Sequence, residues 1–522
     1  MTHSPDATPW WRSAVVYQIY PRSYQDTTGD GVGDLAGIAR RLDHVVALGV
    51  DAIWISPFYP SPMRDFGYDV SDYCAVDPIF GTLTDFDDLV AAAHARGLKL
   101  LLDFVPSHTS DAHPWFRESR ASRQSAKRDW YVWADPAPGG WPPNNWLSEF
   151  GGPAWSLDEA TGQYWLHIYL REQPALNWRN PAVQAAMLDV MRFWFDRGVD
   201  GFRVDAVEHL VPSAALTDNP PDPAWRPGMQ EARALQRAYT AHQPEVFDAA
   251  RAMRRVARDY APERLLIGEA YGTLAEVMAY YGGEGLDGFQ LPFNFQLIFA
   301  DWNAASIARM VEGYEAALPA GAWPNWVMGN HDRPRIAGRI GPAQARVAAM
   351  LLLTLRGTPT IYQGEELGMV DVPIPPGMVH DPMEKNAPGQ GLGRDPVRTP
   401  IPWDEGSNAG FTTGVPWLPI GGAAPVSAQE RDPESMLALY RRLTALRRAE
   451  PALSLGAYRT LSASDDVLVF ERRHGARRLV VALNFSDAER PLGHRGAVLL
   501  STRAGAPAAE RLAPNEGRVM EG

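Results

Sequence analysis

Cysteine is nearly missing. A single thiol, Cys74, stands in 522 residues, so the chain can close no internal disulfide and offers no cysteine cluster to zinc. Cys74 is therefore read as a small, buried apolar residue. Positive charge is also in short supply: 49 Lys and Arg face 62 Asp and Glu, a formal net charge of -13. Nucleic acids and anionic membranes are held by clustered Lys and Arg, so neither is expected as a partner, and a neutral small molecule suits the composition better. No apolar run is long enough to span a bilayer. The stretch MTHSPDATPWWRS lacks the basic and apolar regions of a secretory leader, so a cytoplasmic location is expected.

What is present is the composition of a soluble globular protein, 45% apolar and 21% charged. The length calls for two or three domains, or one large barrel with appendages. Eight short β-rich apolar segments recur along the chain: AVVYQIY (14–20), DAIWISPFY (51–59), LKLLLDFVP (98–106), DGFRVDAV (200–207), RLLIGEA (264–270), GFQLPFN (288–294), WVMGNHD (326–332) and TPTIYQGEE (358–366). Helix-period stretches such as 83–99 and 182–199 lie between most of them, the alternation of a parallel sheet covered on both faces. Eight such units predict an α/β fold, a (β/α)8 TIM barrel.

The spacing is uneven where function is expected. The stretch between the third and fourth segments is too long for one helix and carries nine of the 18 tryptophans, among them Trp130, Trp133, Trp141, Trp146, Trp155, Trp165 and Trp178. It reads as an inserted subdomain whose aromatics form a small core more readily than sugar-stacking platforms. A second insertion, rich in Pro and Gly, runs from 369 to 411. From about 455 the pattern changes to alternating strands without helices, predicting a C-terminal antiparallel β domain. The division is 1–106 and 175–453 for the barrel, 107–174 for the inserted subdomain and 454–522 for the last domain.

Carboxylates end three of the segments: Asp205, Glu269 and Asp332. Any one alone could be the N-cap of the following helix, but a parallel barrel brings its strand ends to one mouth. Arg203 lies two residues before Asp205, on the same strand face, where it would keep that aspartate ionised. His331 adjoins Asp332, and His108 follows the third segment. A metal reading of SHTSDAH through His108 and His113 is set aside because the spacing is no metal motif. The loop DTTGDGVGDL (26–35) is open between two readings: Asp26, Asp30 and Asp34 aimed at a hard cation, or Asx-type turns capping a helix.

The motifs YQIYPRSYQDTTGDGVGDLAGI, DFGYDVSDY, DFVPSHTS, QPALNWRNP, GFRVDAV, IGEA, GNHDRPR and RDPVRTPIPW, in this order over roughly residues 10–450, resemble the α-amylase superfamily, glycoside hydrolase family 13. Within it they are similar to the exo-acting α-glucosidases and oligo-1,6-glucosidases. The resemblance implies Asp205 as nucleophile, Glu269 as general acid and base, and Asp332 as the carboxylate that binds ring hydroxyls. Such a retaining pair needs one ionised carboxylate and one protonated carboxyl; the apolar neighbours of Glu269 in LLIGEAY suit the second.

The same resemblance implies that Asp65, Tyr68, His108, His331 and Arg394 close the pocket around a terminal glucose. Asp65 would pair with Arg394, Arg398 being the rival partner, and Phe150 would form an aromatic wall. Tyr17, Gln173 and Asn177 lie in matching motifs but read equally as scaffold. For the 26–34 loop it implies a structural Ca2+ or Mg2+ held by Asp26, Thr28, Asp30, the Val32 carbonyl and Asp34, although the family usually has Asn where Thr28 stands. Ala206 occupies a position where the family places Val in 1,6-specific members and Thr or Ala in 1,4-specific ones. The implied activity is removal of α-linked glucose, α-1,4 favoured, from maltose-type oligosaccharides or sucrose, with some transfer to acceptor hydroxyls. The alternatives are a trehalose synthase-like isomerase or transferase, an α-1,6-specific glucosidase, and a non-catalytic relative of the transporter-associated ectodomains. The last commonly lose catalytic carboxylates, which this chain keeps.

Overall fold

A computed structural model of the chain describes residues 8–503, 505 and 510–522; part of the stretch on which the leader reading rests lies outside the described residues. All eight predicted segments form strands: β1 (Val16–Ile19), β2 (Ala52–Ile55), β3 (Lys99–Phe104), then, beyond the three strands β4 to β6 of an insertion, β7 (Gly201–Val204), β8 (Leu265–Gly268), β9 (Leu291–Pro292), β10 (Asn325–Val327) and β11 (Thr358–Tyr362). They pair in parallel in the order β10-β11-β1-β2-β3-β7-β8-β9, a nearly closed eight-stranded barrel.

Side chains follow the period of two. Val16, Ala52, Trp54, Leu101, Leu265, Ile267, Leu291 and Val327 form one buried cluster inside the barrel. Their neighbours in sequence, including Tyr17, Ile53, Leu100, Leu102, Phe202 and Leu266, join the larger core beneath the helices. Crowding in the interior leaves no room for a side chain at Gly201, where a Cβ would lie 2.3 Å from the Leu265 carbonyl oxygen and 2.8 Å from Leu101 Cδ2. The helices between strands start at their caps: Thr82 and Asp85 make a reciprocal capping box for Leu83–Ala95, and Asn180 with Pro181 opens Pro181–Asp196.

The first insertion carries a small antiparallel sheet of β4 (Trp133–Ala134), β5 (Trp155–Asp158) and β6 (Gln163–Leu166), in the order β4-β6-β5. Trp146, Trp155, Trp165 and Trp178 are buried, Trp130 and Trp133 half-buried, and only Trp141, 71% exposed, stands out in solvent. The aromatic density is thus core building, as the large-side-chain reading expected. The C-terminal domain has a five-stranded antiparallel sheet ordered β12 (Ala457–Ala463), β13 (Val467–His474), β14 (Arg477–Asn484), β18 (Gly517–Glu521), β16 (Val498–Ser501), with β15 (Arg490–Pro491) and β17 (Arg511–Leu512) paired apart. Cys74 departs from expectation: it is half-buried at the edge of the main core, and burial followed by Asp72 pushes its thiol up to about 11.

Replacing Gly201 by Ala forces a methyl group into the barrel wall. The expected cost is about 1–3 kcal/mol, read as a lower midpoint in urea unfolding; an unchanged midpoint would show that the wall relaxes freely.

Candidate functional site

The backbone ladder continues one residue past the strands at the mouth of the barrel and so fixes two of the three carboxylates. The Asp205 amide donates to the Phe104 carbonyl at 2.8 Å, and the Glu269 amide to the Val204 carbonyl at 2.8 Å. Ala206 then turns left-handed, with φ 45°, which aims its amide at Glu269 Oε2 (3.1 Å) and lets the Val207 amide donate to the Glu269 carbonyl (3.0 Å).

Beneath them lies Arg203, fully buried and 5.1 Å from the Trp54 ring. Its Nη1 donates to Asp205 Oδ1 at 2.6 Å and to Asp103 Oδ1 at 2.8 Å, and its Nη2 donates to Glu269 Oε2. One guanidinium therefore serves three carboxylates. Burial drives Asp205 and Asp103 upward, and Arg203 opposes it; Glu269 is pushed up by burial to about 7, against the same cation. Arg203 favours the charged form of Asp205, the direction its place two residues before implies, and divides its charge among three carboxylates while burial works against it. Burial and mutual repulsion raise all three carboxylates of this trio.

Asp332 has the opposite setting. Burial works against its charge, but His331, whose Nε2 lies 3.3 Å from Oδ2 and can donate to it as a neutral ring, together with the Arg394 and Arg398 guanidiniums, outweighs that and holds it well below the ordinary carboxylate range. Arg398 Nη2 donates to Asp332 Oδ1 at 2.7 Å and Arg394 Nη1 to the same oxygen at 3.2 Å. His331 stacks on Tyr68 with ring centroids 5.3 Å apart and is pulled down to about 3 by its burial. Its Nδ1 meets Gln18 Nε2 at 2.8 Å.

The two insertions close the rim. Arg394 Nη2 bridges to Asp65 Oδ1 at 2.7 Å, joining the loop after β2 to the insertion after β11. Asp381 grips the same guanidinium at 2.7 Å, and Phe150 lies 5.1 Å from it. Gln173 Nε2 donates to Asp65 Oδ2 at 3.2 Å and sits 3.1 Å from His108 Nε2; burial brings His108 down to about 4, so its ring is neutral. The Tyr68 hydroxyl donates to Asp103 Oδ2 at 3.0 Å. Asp65, Tyr68, His108, Phe150, Asp205, Ala206, Glu269, Asp332 and Arg394 line one cavity of about 210 Å3, with Arg203 and His331 directly behind its wall.

Other predicted residues lie elsewhere. Arg398 is bonded to Asp332 rather than Asp65. Tyr17 donates to Glu366 at 2.8 Å and Asn177 to the Asp129 carbonyl at 3.0 Å, both scaffold contacts. Gln173, by contrast, belongs to the cavity wall. His113 caps the helix Pro114–Ala121 through the Trp115 amide. Asp103 and Asp381 were missed, as was the whole excursion from 207 to 244, which brings Glu208, His209, Arg233 and Arg237 to the cavity. Register could have found Asp103, since it lies directly opposite Arg203 across the β3–β7 pair.

The 26–34 loop was tested for a cation through its oxygens. Asp26 Oδ1 accepts the Thr28 and Gly29 amides and Oδ2 the Gly31 amide, each at 2.8 Å; Asp30 accepts the Val32 amide, and Asp34 caps the next helix through the Gly37 amide. Among the described residues no group of three or more His, Cys, Asp or Glu side chains is placed to hold a metal ion. As arranged, these oxygens close the turn on its own amides.

Comparison with known proteins completes the site. The family description "Alpha amylase, catalytic domain" matches residues 18–456. A probable α-glucosidase of Rhizobium meliloti is 44% identical over 496 residues, covering 92% of this chain and 90% of that protein. The α-glucosyl transfer enzyme XgtA is 42% identical in its crystal structure, with a TM-score of 0.93 and coverage of 99% of this chain and 100% of that one. The trehalulose synthase MutB from Pseudomonas mesoacidophila MX-45 is 35% identical, with a TM-score of 0.89 and coverage of 99% and 100%.

Removing the shared cation should strand buried negative charge. R203Q is expected to lose about 3–5 kcal/mol of stability, and to lose less at pH 5 than at pH 8. Its carboxylate partners have raised folded-state pKa values, so at low pH they are neutral and need the cation less, whereas at high pH they are charged. Equal losses at both pH values in denaturant titrations would contradict this reading of the trio.

Proposed function

The chain belongs to the α-amylase family and is a glycoside hydrolase, and from that premise we propose that it is a retaining, exo-acting α-glucosidase. The observation that carries the reading is Asp205 and Glu269 sharing one guanidinium in a pocket whose rim is bridged by Asp65 and Arg394. In the first step the Asp205 carboxylate bonds to the anomeric carbon while the bond to the leaving oxygen breaks and Glu269 gives that oxygen its proton. In the second, Glu269, now a carboxylate, takes a proton from water, which attacks the same carbon and frees Asp205. Two inversions retain the α configuration. Asp332, held ionised by Arg398 and Arg394, accepts hydrogen bonds from ring hydroxyls.

The bridged rim supports removal of one sugar from a chain end, and the small side chain of Ala206 supports an α-1,4 linkage, as in maltose-type substrates or sucrose. A second reading, isomerisation or transfer with the leaving group retained, is favoured by the close structural likeness to proteins named as a transfer enzyme and a trehalulose synthase. A cytoplasmic location belongs to the same proposal; among the described residues no helix is long and apolar enough to cross a membrane.

Proton NMR of the protein with maltose reports the anomer released first. Fresh α-glucose is expected; β-glucose would overturn the retaining mechanism, and a new disaccharide as main product would select the second reading. D205N should lose at least about 10³-fold in kcat/KM. Because Glu269 must carry its proton in the first step, kcat/KM should fall as pH rises through about 7, and E269Q should lack that limb while losing about 10²- to 10⁴-fold.

For the 26–34 loop we carry a structural Ca2+ or Mg2+ as a proposal, on the strength of the spacing of Asp26, Asp30 and Asp34. Tm should then fall in chelator and recover with added calcium or magnesium. A Tm indifferent to both would assign closure of the loop to its hydrogen bonds alone.

A further inference from the structure

The cavity has two unlike ends. At one, Asp332, Arg394, Asp65 and Asp381 form a tightly paired cluster. The other is built from the excursion after β7, whose Glu208 lies 3.4 Å from the amide of Tyr271, two residues past Glu269, and close enough to Glu269 for their charges to interact. Glu269 delivers its proton to the leaving oxygen, so side chains at this second end face the leaving group and, later, any acceptor.

Glu208 stands there, on the short 3-10 turn Val207–His209 that follows the left-handed Ala206. It is buried yet lines the cavity. Its Oε1 has one long contact, 3.4 Å from the Tyr271 amide, and lies 3.9 Å from His209 Nε2. Its Oε2 has no hydrogen-bond partner among the described residues. A buried carboxyl oxygen without a partner is costly and uncommon, and this one lines a cavity that the mechanism must open to hydroxyl-bearing molecules. The same wall holds Arg237, fixed to Glu149 at 2.5 Å with its own Nε unpartnered, and His209, whose Nδ1 donates to the Thr240 carbonyl at 2.9 Å and so leaves Nε2 an acceptor. This end is polar, includes the guanidinium of Arg233, and presents both donors and acceptors.

We propose that Glu208 is the specificity residue of the leaving-group end, taking a hydroxyl of the departing or incoming sugar and thereby setting how often the glucosyl group passes to a sugar rather than to water. The inference rests on the α-glucosidase reading above. Burial, with the charge of Glu269 adding to it, pushes Glu208 up to about 8, so at neutral pH it is a carboxylic acid that can donate one hydrogen bond and accept others. A site built to bond a hydroxyl discriminates strongly against a ligand that lacks or misplaces it. Water, which fills no such geometry beyond a single contact, gains little from Glu208.

The test is a partition experiment. A 4-nitrophenyl α-glucoside labelled with 13C in the sugar serves as donor and unlabelled glucose as acceptor, and NMR counts labelled disaccharide against labelled free glucose. Both products come from one glucosyl-enzyme, and both nucleophiles lose their proton to Glu269, so general damage to the site or retuning of Glu269 cancels from the ratio. Wild type should give labelled disaccharide, since a site that binds a leaving sugar also binds it as acceptor by microscopic reversibility. E208A should lower the transfer-to-hydrolysis ratio about tenfold, and E208M, of similar volume, should do the same should E208A not fold. E208Q, which keeps a donor and an acceptor, should stay within about threefold of wild type. A ratio in E208A or E208M within about twofold of wild type, E208Q as impaired as E208A, or no labelled disaccharide from wild type would each overturn the inference. Absence of any labelled sugar release from wild type would instead refute the α-glucosidase reading, and the inference with it.

Discussion

The mouth of this barrel depends on one guanidinium. Arg203 sits where three parallel strands deliver carboxylates within reach of it, Asp103 from β3, Asp205 beyond β7 and Glu269 beyond β8. A charge this deeply buried is tolerable only when paired and hydrogen-bonded, and the carboxylates are tolerable for the same reason. The cation and its partners are therefore placed by one another, while the ladder bonds of Asp205 and Glu269 to the strands before them fix the backbone. Trp54 beneath adds an aromatic face to the cation.

The division of labour between carboxylates follows from counting charges. Three carboxylates share Arg203, so burial wins at Glu269 and its proton is held to about 7. Asp332 has two guanidiniums on one oxygen, so attraction wins and it stays ionised. Two like side chains a few residues apart in space thus take opposite protonation states without any difference in their own chemistry. The neutral His108 and His331 fit this scheme: both rings are buried among cations or carbonyl oxygens and serve as walls and hydrogen-bond relays, not as charges.

The fold was largely legible because a parallel barrel writes itself as short apolar runs separated by helical periods, and each of the eight runs became a strand. The strand-end carboxylates and the Asp65–Arg394 pair were legible through motif order. Three things were not. Asp103 was read as strand because it lies inside an apolar run, and only the register opposite Arg203 reveals its partner. Asp381 lies in a Pro- and Gly-rich insertion with no periodicity, so nothing local says that it would cap a short helix and bind Arg394 at once. The excursion after β7 carries no motif that marks it, although it supplies one end of the cavity. The 26–34 loop shows a different limit: spacing places three aspartates together, but whether their oxygens turn inward to an ion or outward to amides is decided by hydrogen bonds that no spacing records.

The position after Asp205 shows how backbone and specificity constrain each other. Ala206 must turn left-handed for its amide to reach Glu269 Oε2 and for the Val207 amide to reach the Glu269 carbonyl, and those bonds help to hold Glu269 against the strand that carries Asp205. A left-handed conformation is costly for β-branched residues and milder for small ones. A valine here would therefore narrow the leaving-group end and strain the turn together, so space beside the pocket and geometry of the acid are not independent variables. Ala206 opens the first without disturbing the second. The consequence is that the space beside the pocket and the placement of the Glu269 carboxyl rest on the same peptide unit, between Asp205 at the end of one strand and Glu269 at the end of the next.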